Sequence, residues 1–411
     1  MFGFGKLATY DYFAHVERAL KQRFADRGER LETFVVDVAP TSSIRRRAVR
    51  LVELVAATCG EDDGPIHLLG HSTGGLDARL AASPSARLPT TADKLSWLPR
   101  LRSVTTMSTP HYGTPLASFF ATVSGQRMLY AVSALTFIGL SLGAPPLAAA
   151  SALVMGLSRI DRMIGVELRI LDRTTDALLR ALEPATSHEV RGYLDAIQRD
   201  QGAVIQLTPE AMDLFQAGIE DRAGVSYQCT VAMAPAPRAG ELARSLASPW
   251  RALSSTLFTT LYGITSRYDE RYPCAAPDAG PEAEEALRRA FGRAPGARAN
   301  DGVVPTRSQI WGRVAWAGMA DHLDVLGHYP GPAPRVSGWM PRWTSWLREP
   351  PASATLEEAA DEAAREGGVA PDPAADARHV DWLRSGAGFD DRAFDEVTNA
   401  VSSGMLGLGR Q

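Results

Sequence analysis

One serine lies in a glycine-rich stretch whose spacing is typical of a nucleophile. Gly70, Ser72 and Gly74 form the pattern G-x-S-x-G between the apolar run Ile66–Leu69 and the helical pattern Leu76–Ala82. We predict a sharp strand-to-helix turn that holds Ser72 in a strained conformation and projects its hydroxyl above a sheet. The backbones two residues before and after the serine should approach closely, so both positions are expected to lack a bulky side chain, as Gly70 and Gly74 do.

A serine hydroxyl needs a histidine base, and that base needs a carboxylate to orient it. In folds with this turn the chain order is serine, acid, base. Asp301, in the turn NDGVV at 300–304, is the candidate acid, and His322, just after the predicted strand Val314–Met319, is the candidate base. His328 is the rival base. The other histidines are interpreted as structural or badly placed in the chain: His15, His67, His71 (inside the turn), His111, His188 and His379.

Attack of a serine on a carbonyl develops a negative charge that backbone amides can stabilise. Thr73 follows the serine and begins the predicted helix, whose first turn carries unpaired N–H groups and positive potential. We therefore expect the Thr73 amide to be one donor of an oxyanion hole.

Strand and helix patterns alternate along the chain and predict an α/β fold with a mostly parallel sheet, helices on both faces and an inserted helical cap. The predicted elements are helices over 11–24, 44–55 and 76–82, strands over 33–38, 66–69, 101–107, 225–232 and 314–319, and one C-terminal amphipathic helix.

These patterns divide the chain into segments. We predict the first half of the core over 1–120, a helical lid or cap over 121–220, a core strand over 221–235, an irregular excursion over 236–298, the second half of the core with acid and base over 299–348, an acidic linker over 349–378 and a C-terminal appendage over 379–411.

The cap contains an unusually apolar stretch. No charged residue occurs from Met128 to Ser158, which is 31 positions, and Pro145 and Pro146 divide this stretch. The pieces, about 17 and 12 residues long, are short for a membrane span. A lid over an apolar site, which could touch a lipid–water interface, is favoured over buried core helices or membrane insertion.

Composition sets limits on the remaining function classes. The 411 residues are 45% apolar and 22% charged, with a net charge of −4, which is typical of a globular protein and gives no basis for a nucleic-acid partner.

Cys229 and Cys274 could pair, although free thiols fit equally well. The start, Met1–Lys6, has no signal-peptide pattern. The chain therefore reads as cytoplasmic, with secretion left open if the N-terminus is truncated.

The same residues resemble those of the bacterial triacylglycerol lipases and esterases of the α/β-hydrolase superfamily. Five stretches match in the family's order over about 300 residues: GHSTGGLDAR at 70–79, VTTMSTPHYGTP at 104–115, LTPEAM at 207–212, NDGVV at 300–304 and DHLD at 321–324. The resemblance implies an α/β-hydrolase fold with a mobile lid. It assigns the nucleophile to Ser72, the acid to Asp301 and the base, 21 positions later, to His322.

The sequence departs from this family at its start. The family's first buried strand and His-Gly pair, which precede the second oxyanion donor, have no counterpart, so that donor falls on Met1 or Phe2. Either the start codon is assigned too late, or the enzyme lacks a well-held donor and is slow.

The resemblance also implies a structural calcium ion on Asp324, with Asp269 or Asp278 as a second carboxylate ligand. A capping or solvated role for Asp324 is favoured over calcium binding. Zinc on His322, Asp324 and His328 is disfavoured because no HExxH motif occurs. No cofactor is otherwise expected.

The expected function is hydrolysis of carboxylic esters with apolar acyl chains by a monomer, through a Ser-His-Asp triad and an acyl-enzyme. Acyl transfer, phospholipase, amidase and polyester-depolymerase activities use the same turn and remain alternatives. A catalytically weak or silent lipid-binding protein is the alternative outside this enzyme class.

Overall fold

The structure is a computed structural model that describes residues 6–7, 10–11, 13–39, 41–59, 64–142, 184–238, 249–267, 274, 278–329 and 381–408. Its strands are β1 Lys6–Leu7, β2 Tyr10–Asp11, β3 Ile66–His71, β4 Leu101–Met107, β5 Ser226–Met233 and β6 Arg313–Met319. The α-helices are α1 Ala14–Ala25, α2 Ile44–Thr58, α3 Thr73–Ala82, α4 Pro115–Phe120, α5 Val123–Leu142, α6 Pro184–Arg199, α7 Gly202–Gln206, α8 Pro209–Gly218, α9 Pro249–Thr265, α10 Gly280–Phe291 and α11 Asp391–Met405.

The central sheet is parallel and has the strand order β3-β4-β5-β6. Because parallel neighbours need crossover connections, helical segments separate these strands along the chain. Successive side chains along each strand point to opposite faces of the sheet. On one face Leu68 and Val104 pack against α2 and α3, and Cys229 and Val231 pack against α10.

The opposite face of the sheet is covered by α1 and α11. Val16, Leu20, Val397 and Val401 are buried in one cluster with the end of β4. The C-terminal helix α11 therefore contributes to the core, and its N-terminus is capped by Asp390, which accepts from the amide of Ala393. The predicted parallel sheet with helices on both faces is confirmed.

One predicted strand is wrong. Thr33–Val38 is rich in β-branched residues, yet it does not form a strand. A cavity of about 820 Å³ lies between this segment and β3, and residues from both line it, together with α1 and α2. A strand exists only through hydrogen bonds to a neighbour, so β propensity alone did not produce one here.

The segment 236–298, predicted to be irregular, contains α9 and α10. Helix α10 has proline at its second position, buries Ala283 and Leu287, and ends at Gly292 with φ 71°. Proline near a helix start and glycine after its end are ordinary boundary signals. The abundance of Ala, Pro and Arg obscured them in the sequence.

The apolar stretch of the cap is described only in part. Residues 143–158 lie outside the described residues, as does the acidic linker at 349–378. Met128, Leu129 and Val132 of α5 are buried with Leu194 of α6 in the main cluster, so this part of the stretch packs in the core. Among the described residues, no helix combines the length and apolarity that crossing a membrane requires. Cys229 and Cys274 are both free thiols, so the disulfide alternative is wrong.

A buried ion pair ties α2 to α3. Nε of Arg47 donates to Oδ2 of Asp77 at 2.9 Å, and both side chains are buried. Replacing Arg47 with Met leaves a buried carboxylate without its cation, so we expect a loss of about 3–5 kcal/mol in the free energy of unfolding. Urea denaturation measures this loss.

The matched control is Arg50→Met on the same helix, because Arg50 pairs with Glu53 at the surface. That change should cost about 0–1 kcal/mol. Equal small losses in the two variants would contradict a structural role for the Arg47 pair.

Candidate active site

Ser72 occupies the apex of the predicted turn. It stands between β3 and α3 with φ 54° and ψ −129°, and its amide donates to the carbonyl of Met107 at 2.9 Å. A positive φ in a residue other than glycine costs about 1–3 kcal/mol and persists only where the surroundings hold it. Here the end of β4 holds the serine backbone in place.

The glycines of the turn differ in how much room a side chain would have. A Cβ on Gly70 would clash with the backbone carbonyl of Gly74, and a Cβ on Gly75 would clash with the side chain of Thr109. A Cβ on Gly74 would meet nothing within 4 Å. The crowding at position 74 therefore comes from its backbone, and a Cβ there has room, whereas the expected side-chain restriction applies at Gly70.

Asp301 and His322 form a hydrogen-bonded pair at the same edge of the sheet as Ser72. Nδ1 of His322 lies 2.8 Å from Oδ2 of Asp301, and the His322 amide donates to the Asp301 carbonyl at 2.9 Å. Both side chains are at most 2% exposed. His328, the rival base, packs instead against His15, with ring centroids 5.6 Å apart.

The carboxylate of Asp301 is held by further donors. Its Oδ1 accepts from the amides of Val303 at 2.9 Å and Val304 at 2.7 Å, so it closes its own turn. The Nε2 of Gln309 donates to Oδ2 at 3.2 Å. The same Gln309 amide pairs with the N–H and C=O of Ala232 at the end of β5.

Gln309 was not identified from the sequence. It lies in a short 3₁₀ helix, Thr306–Gln309, and is completely buried. The one feature of the sequence that points to Gln309 is its closeness to Asp301 in the chain, because the carboxylate of a turn residue needs hydrogen-bond donors nearby. Only the fold shows that its amide reaches the carboxylate.

The protonation of His322 suits a base. Burial lowers the pKa of its imidazole, and the neighbouring carboxylate of Asp301 opposes part of that effect. A hydrogen bond to Asp301 places the proton on Nδ1, which leaves the lone pair on Nε2. Among the described residues, Nε2 of His322 is buried without a hydrogen-bond partner. Within the described residues this atom is therefore not hydrogen-bonded to the Ser72 hydroxyl, whereas Nδ1 is bonded to Asp301.

Thr73 is the first residue of α3 and is buried. The amides of a helix's first turn have no acceptor within the helix, which agrees with the expected role of this amide. Met1 and Phe2, the expected positions of a second donor, lie outside the described residues.

The other histidine near the sheet edge, His111, belongs to a structural network. Nη1 of Arg79 lies 3.1 Å from Nδ1 of His111, and Thr106 Oγ1 lies 3.1 Å from its Nε2. The guanidinium of Arg79 stacks on Trp311 at 3.3 Å. Both ring nitrogens of His111 therefore lie within hydrogen-bond distance of other side chains.

The carboxylates of the predicted calcium site make other contacts in the structure. Oδ2 of Asp324 accepts from the amide of Asp321 at 2.8 Å, so Asp324 caps its own loop. Asp278 is exposed and accepts from the amide of Gly280, and Asp269 lies outside the described residues. Within the described ranges no three His, Cys, Asp or Glu side chains are arranged to hold a metal ion. Asp324 and Asp278 thus each accept from a local backbone amide, and a calcium site that includes Asp269 stays a prediction.

Three buried carboxyls nevertheless lie behind the histidine loop. Oδ2 of Asp321 accepts from Ser385, which ties the loop to the C-terminal segment. Burial raises the pKa values of Asp321 and Asp324 well above their usual range, and repulsion from Asp381 on Asp321 and from Asp321 on Asp324 adds to it. Burial raises the pKa of Asp381 to about 6.

Comparison with known proteins gives a limited result. No family model matches the chain, and no protein of curated function matches it. Several solved structures are similar in part. The lipase BlEst2 of Bacillus licheniformis shares 14% identity, with 71% of each chain covered and a TM-score of 0.34.

Two further structures are comparable. Lipase 1 of Pelosinus fermentans shares 16% identity, with 75% of this chain and 86% of that chain covered and a TM-score of 0.40. EstA of Clostridium botulinum shares 16% identity, with 79% and 80% covered and a TM-score of 0.41. Similarity this low does not establish an activity, so only the geometry of the chain's own site bears on function.

The turn geometry generates a test of stability. We expect Gly70→Ala to lower the free energy of unfolding by about 1–3 kcal/mol, because the added methyl group displaces the Gly74 backbone. Gly74→Ala should be neutral or slightly stabilising, because alanine favours a helix. Thermal unfolding of the two variants, followed by circular dichroism, separates them. Equal effects would contradict the steric account of this turn.

Proposed function

We propose that this protein is a serine hydrolase that cleaves carboxylic esters with apolar acyl chains. Ser72 is the nucleophile, His322 the general base and Asp301 the residue that orients the base. The observation that carries the proposal is the buried 2.8 Å contact between His322 and Asp301, at the same sheet edge as a serine held at φ 54°.

The proposed acylation uses these three side chains. As the Oγ of Ser72 attacks the ester carbonyl, Nε2 of His322 takes the hydroxyl proton, and Asp301 stabilises the imidazolium through Nδ1. The carbonyl oxygen becomes an oxyanion, toward which the Thr73 amide can donate. His322 then gives its proton to the leaving alcohol, and the acyl group remains on Ser72.

Deacylation repeats the same proton transfers with water. His322 removes a proton from water as the water oxygen attacks the acyl-enzyme, and it returns that proton to Ser72 when the carboxylic acid leaves. Each cycle consumes one ester and one water and needs no redox partner, so the three side chains account for the complete reaction.

The apolar acyl group is proposed from the composition of the cap. The stretch from Met128 to Ser158 has no charged residue, and its first part belongs to α5, next to the core. Contact of the remaining part with a lipid–water interface is part of the proposal.

Esters of p-nitrophenol with short and long acyl chains test the substrate class. Hydrolysis of short-chain esters only would contradict a lipid-like substrate but would agree with the hydrolase function.

Covalent labelling tests the nucleophile. A fluorophosphonate probe should label the wild-type protein and fail to label Ser72→Ala, because the probe reacts only with an activated serine. Ester hydrolysis by Ser72→Ala should fall by about 10³-fold or more. In-gel fluorescence and initial rates give the two measurements.

The matched control is Ser108→Ala. Ser108 is also buried, follows the neighbouring strand β4 and has φ 46°, so it shares the positive φ of Ser72 but is not assigned to the proposed site. Labelling that survives in Ser72→Ala, or that is lost in Ser108→Ala, would refute the assignment. A folded wild-type protein that neither labels nor hydrolyses any ester would favour the silent binding protein.

The pKa of His322 predicts the acidic limb of the pH profile. Burial lowers this pKa from its usual 6.5, and the base must be neutral to act. The unprotonated form therefore persists below pH 6.5, and kcat/KM should begin to fall only at a lower pH. A rate profile with a soluble ester measures the midpoint. A midpoint above 6.5 would contradict this environment for the base.

A further inference from the structure

His71 joins the strand of the nucleophile to the loop of the proposed base. It is the last residue of β3, directly before Ser72, and its side chain is buried. Its Nε2 lies 2.8 Å from the backbone oxygen of His322. The two imidazole rings also pack together, with centroids 4.6 Å apart and an interplanar angle of 50°. One side chain thus contacts both the backbone and the ring of the base.

The chemistry of this contact determines the proton on His71. A carbonyl oxygen can only accept a hydrogen bond, so Nε2 of His71 must be the donor and carry a proton. Burial, and then the nearby His322, lower the pKa of His71 well below its usual value, so the ring is neutral. Neutrality suits the site, because a second cation would oppose the charge that His322 gains during the reaction.

The other hydrogen bonds of His322 join it to the acid and not to the strand of the nucleophile. Its ring and its amide both bond to Asp301, and these contacts place the base relative to the acid. They do not reach β3, which carries the nucleophile. The bond from His71 does, because His71 is covalently joined to Ser72.

We propose that His71 is a positioning residue: its Nε2–H, donated to the His322 carbonyl, sets the separation between Ser72 Oγ and His322 Nε2. The inference rests on the proposed hydrolase function and adds a residue that the sequence analysis interpreted as structural. His71 acts through His322 and does not touch the reacting ester.

The expected size of the effect follows from the geometry of proton transfer. A misplacement of about 1 Å between reacting groups can cost about 100-fold in rate. Removing the donor should therefore lower kcat without changing KM, because the ester-binding surface is untouched. A residue that only filled space would affect stability instead.

Three substitutions separate donation from packing. His71→Leu removes the donor. His71→Gln restores a neutral N–H at about the position of Nε2, whereas the shorter His71→Asn reaches only about the position of Nδ1. With p-nitrophenyl butyrate as the probe, we expect kcat to fall about 100-fold in the Leu and Asn variants. The Gln variant should recover most of that loss, with KM unchanged in all three.

The matched control is His67→Leu. His67 lies four residues earlier on the same face of β3, and its Nδ1 contacts Ser103 at 2.7 Å, away from the base. This variant loses a histidine of the same strand and its hydrogen bond, so its kcat shows how much activity such a loss costs away from the base. We expect its kcat to match the wild type. Equal kcat losses in His67→Leu and His71→Leu would overturn the inference.

A measurement on the wild-type protein needs no variant. Nitrogen-15 NMR of histidine-labelled protein should show His71 as the neutral tautomer protonated on Nε2. An Nδ1-protonated or charged ring would overturn the inference whatever the kinetics show.

The remaining outcomes separate the two proposals. If the wild type labels with fluorophosphonate but the Leu and Gln variants turn over equally, or if KM changes in place of kcat, only the role of His71 is wrong. If the wild type neither labels nor hydrolyses esters, the proposed function fails, and the positioning role fails with it.

Discussion

The hydrogen bond between Asp301 and His322 is the constraint around which the rest of the site is arranged. It joins two loops at the carboxyl edge of the sheet, and both side chains are buried. A carboxylate in such a place is stable only when donors surround it. Two amides of its own turn and the Gln309 side chain supply those donors. The Asp301–His322 pair therefore exists because the second half of the core folds as one unit.

The nucleophile depends on a separate set of contacts. Ser72 stays at positive φ because the turn is anchored on both sides, by β4 through the Met107 carbonyl and by the close approach of Gly70 to Gly74. The two halves of the site thus come from distant parts of the chain. The β4–β5 and β5–β6 pairings bring them to one edge, and His71 bridges them directly.

The region beside β3 shows how strongly strand formation depends on its neighbours. Thr33–Val38 has the composition of a strand and runs near the sheet, but a cavity of about 820 Å³ separates it from β3. Hydrogen-bond ladders stabilise β structure, and apolar side chains alone do not align two backbones. The strand that local composition predicted over Thr33–Val38 is therefore wrong, because no strand among the described residues pairs with this segment.

Local patterns in the sequence determined the elements that carry the chemistry. The G-x-S-x-G spacing, the apolar strand runs and the order of Ser72, Asp301 and His322 are features of short segments, and steric and hydrogen-bonding rules act within such segments. Tertiary structure alone decided that Gln309 reaches Asp301 and that His71 reaches His322. It also decided that position 74 tolerates a side chain. These contacts join side chains to groups whose positions depend on the packing of several elements, and no local rule specifies that packing.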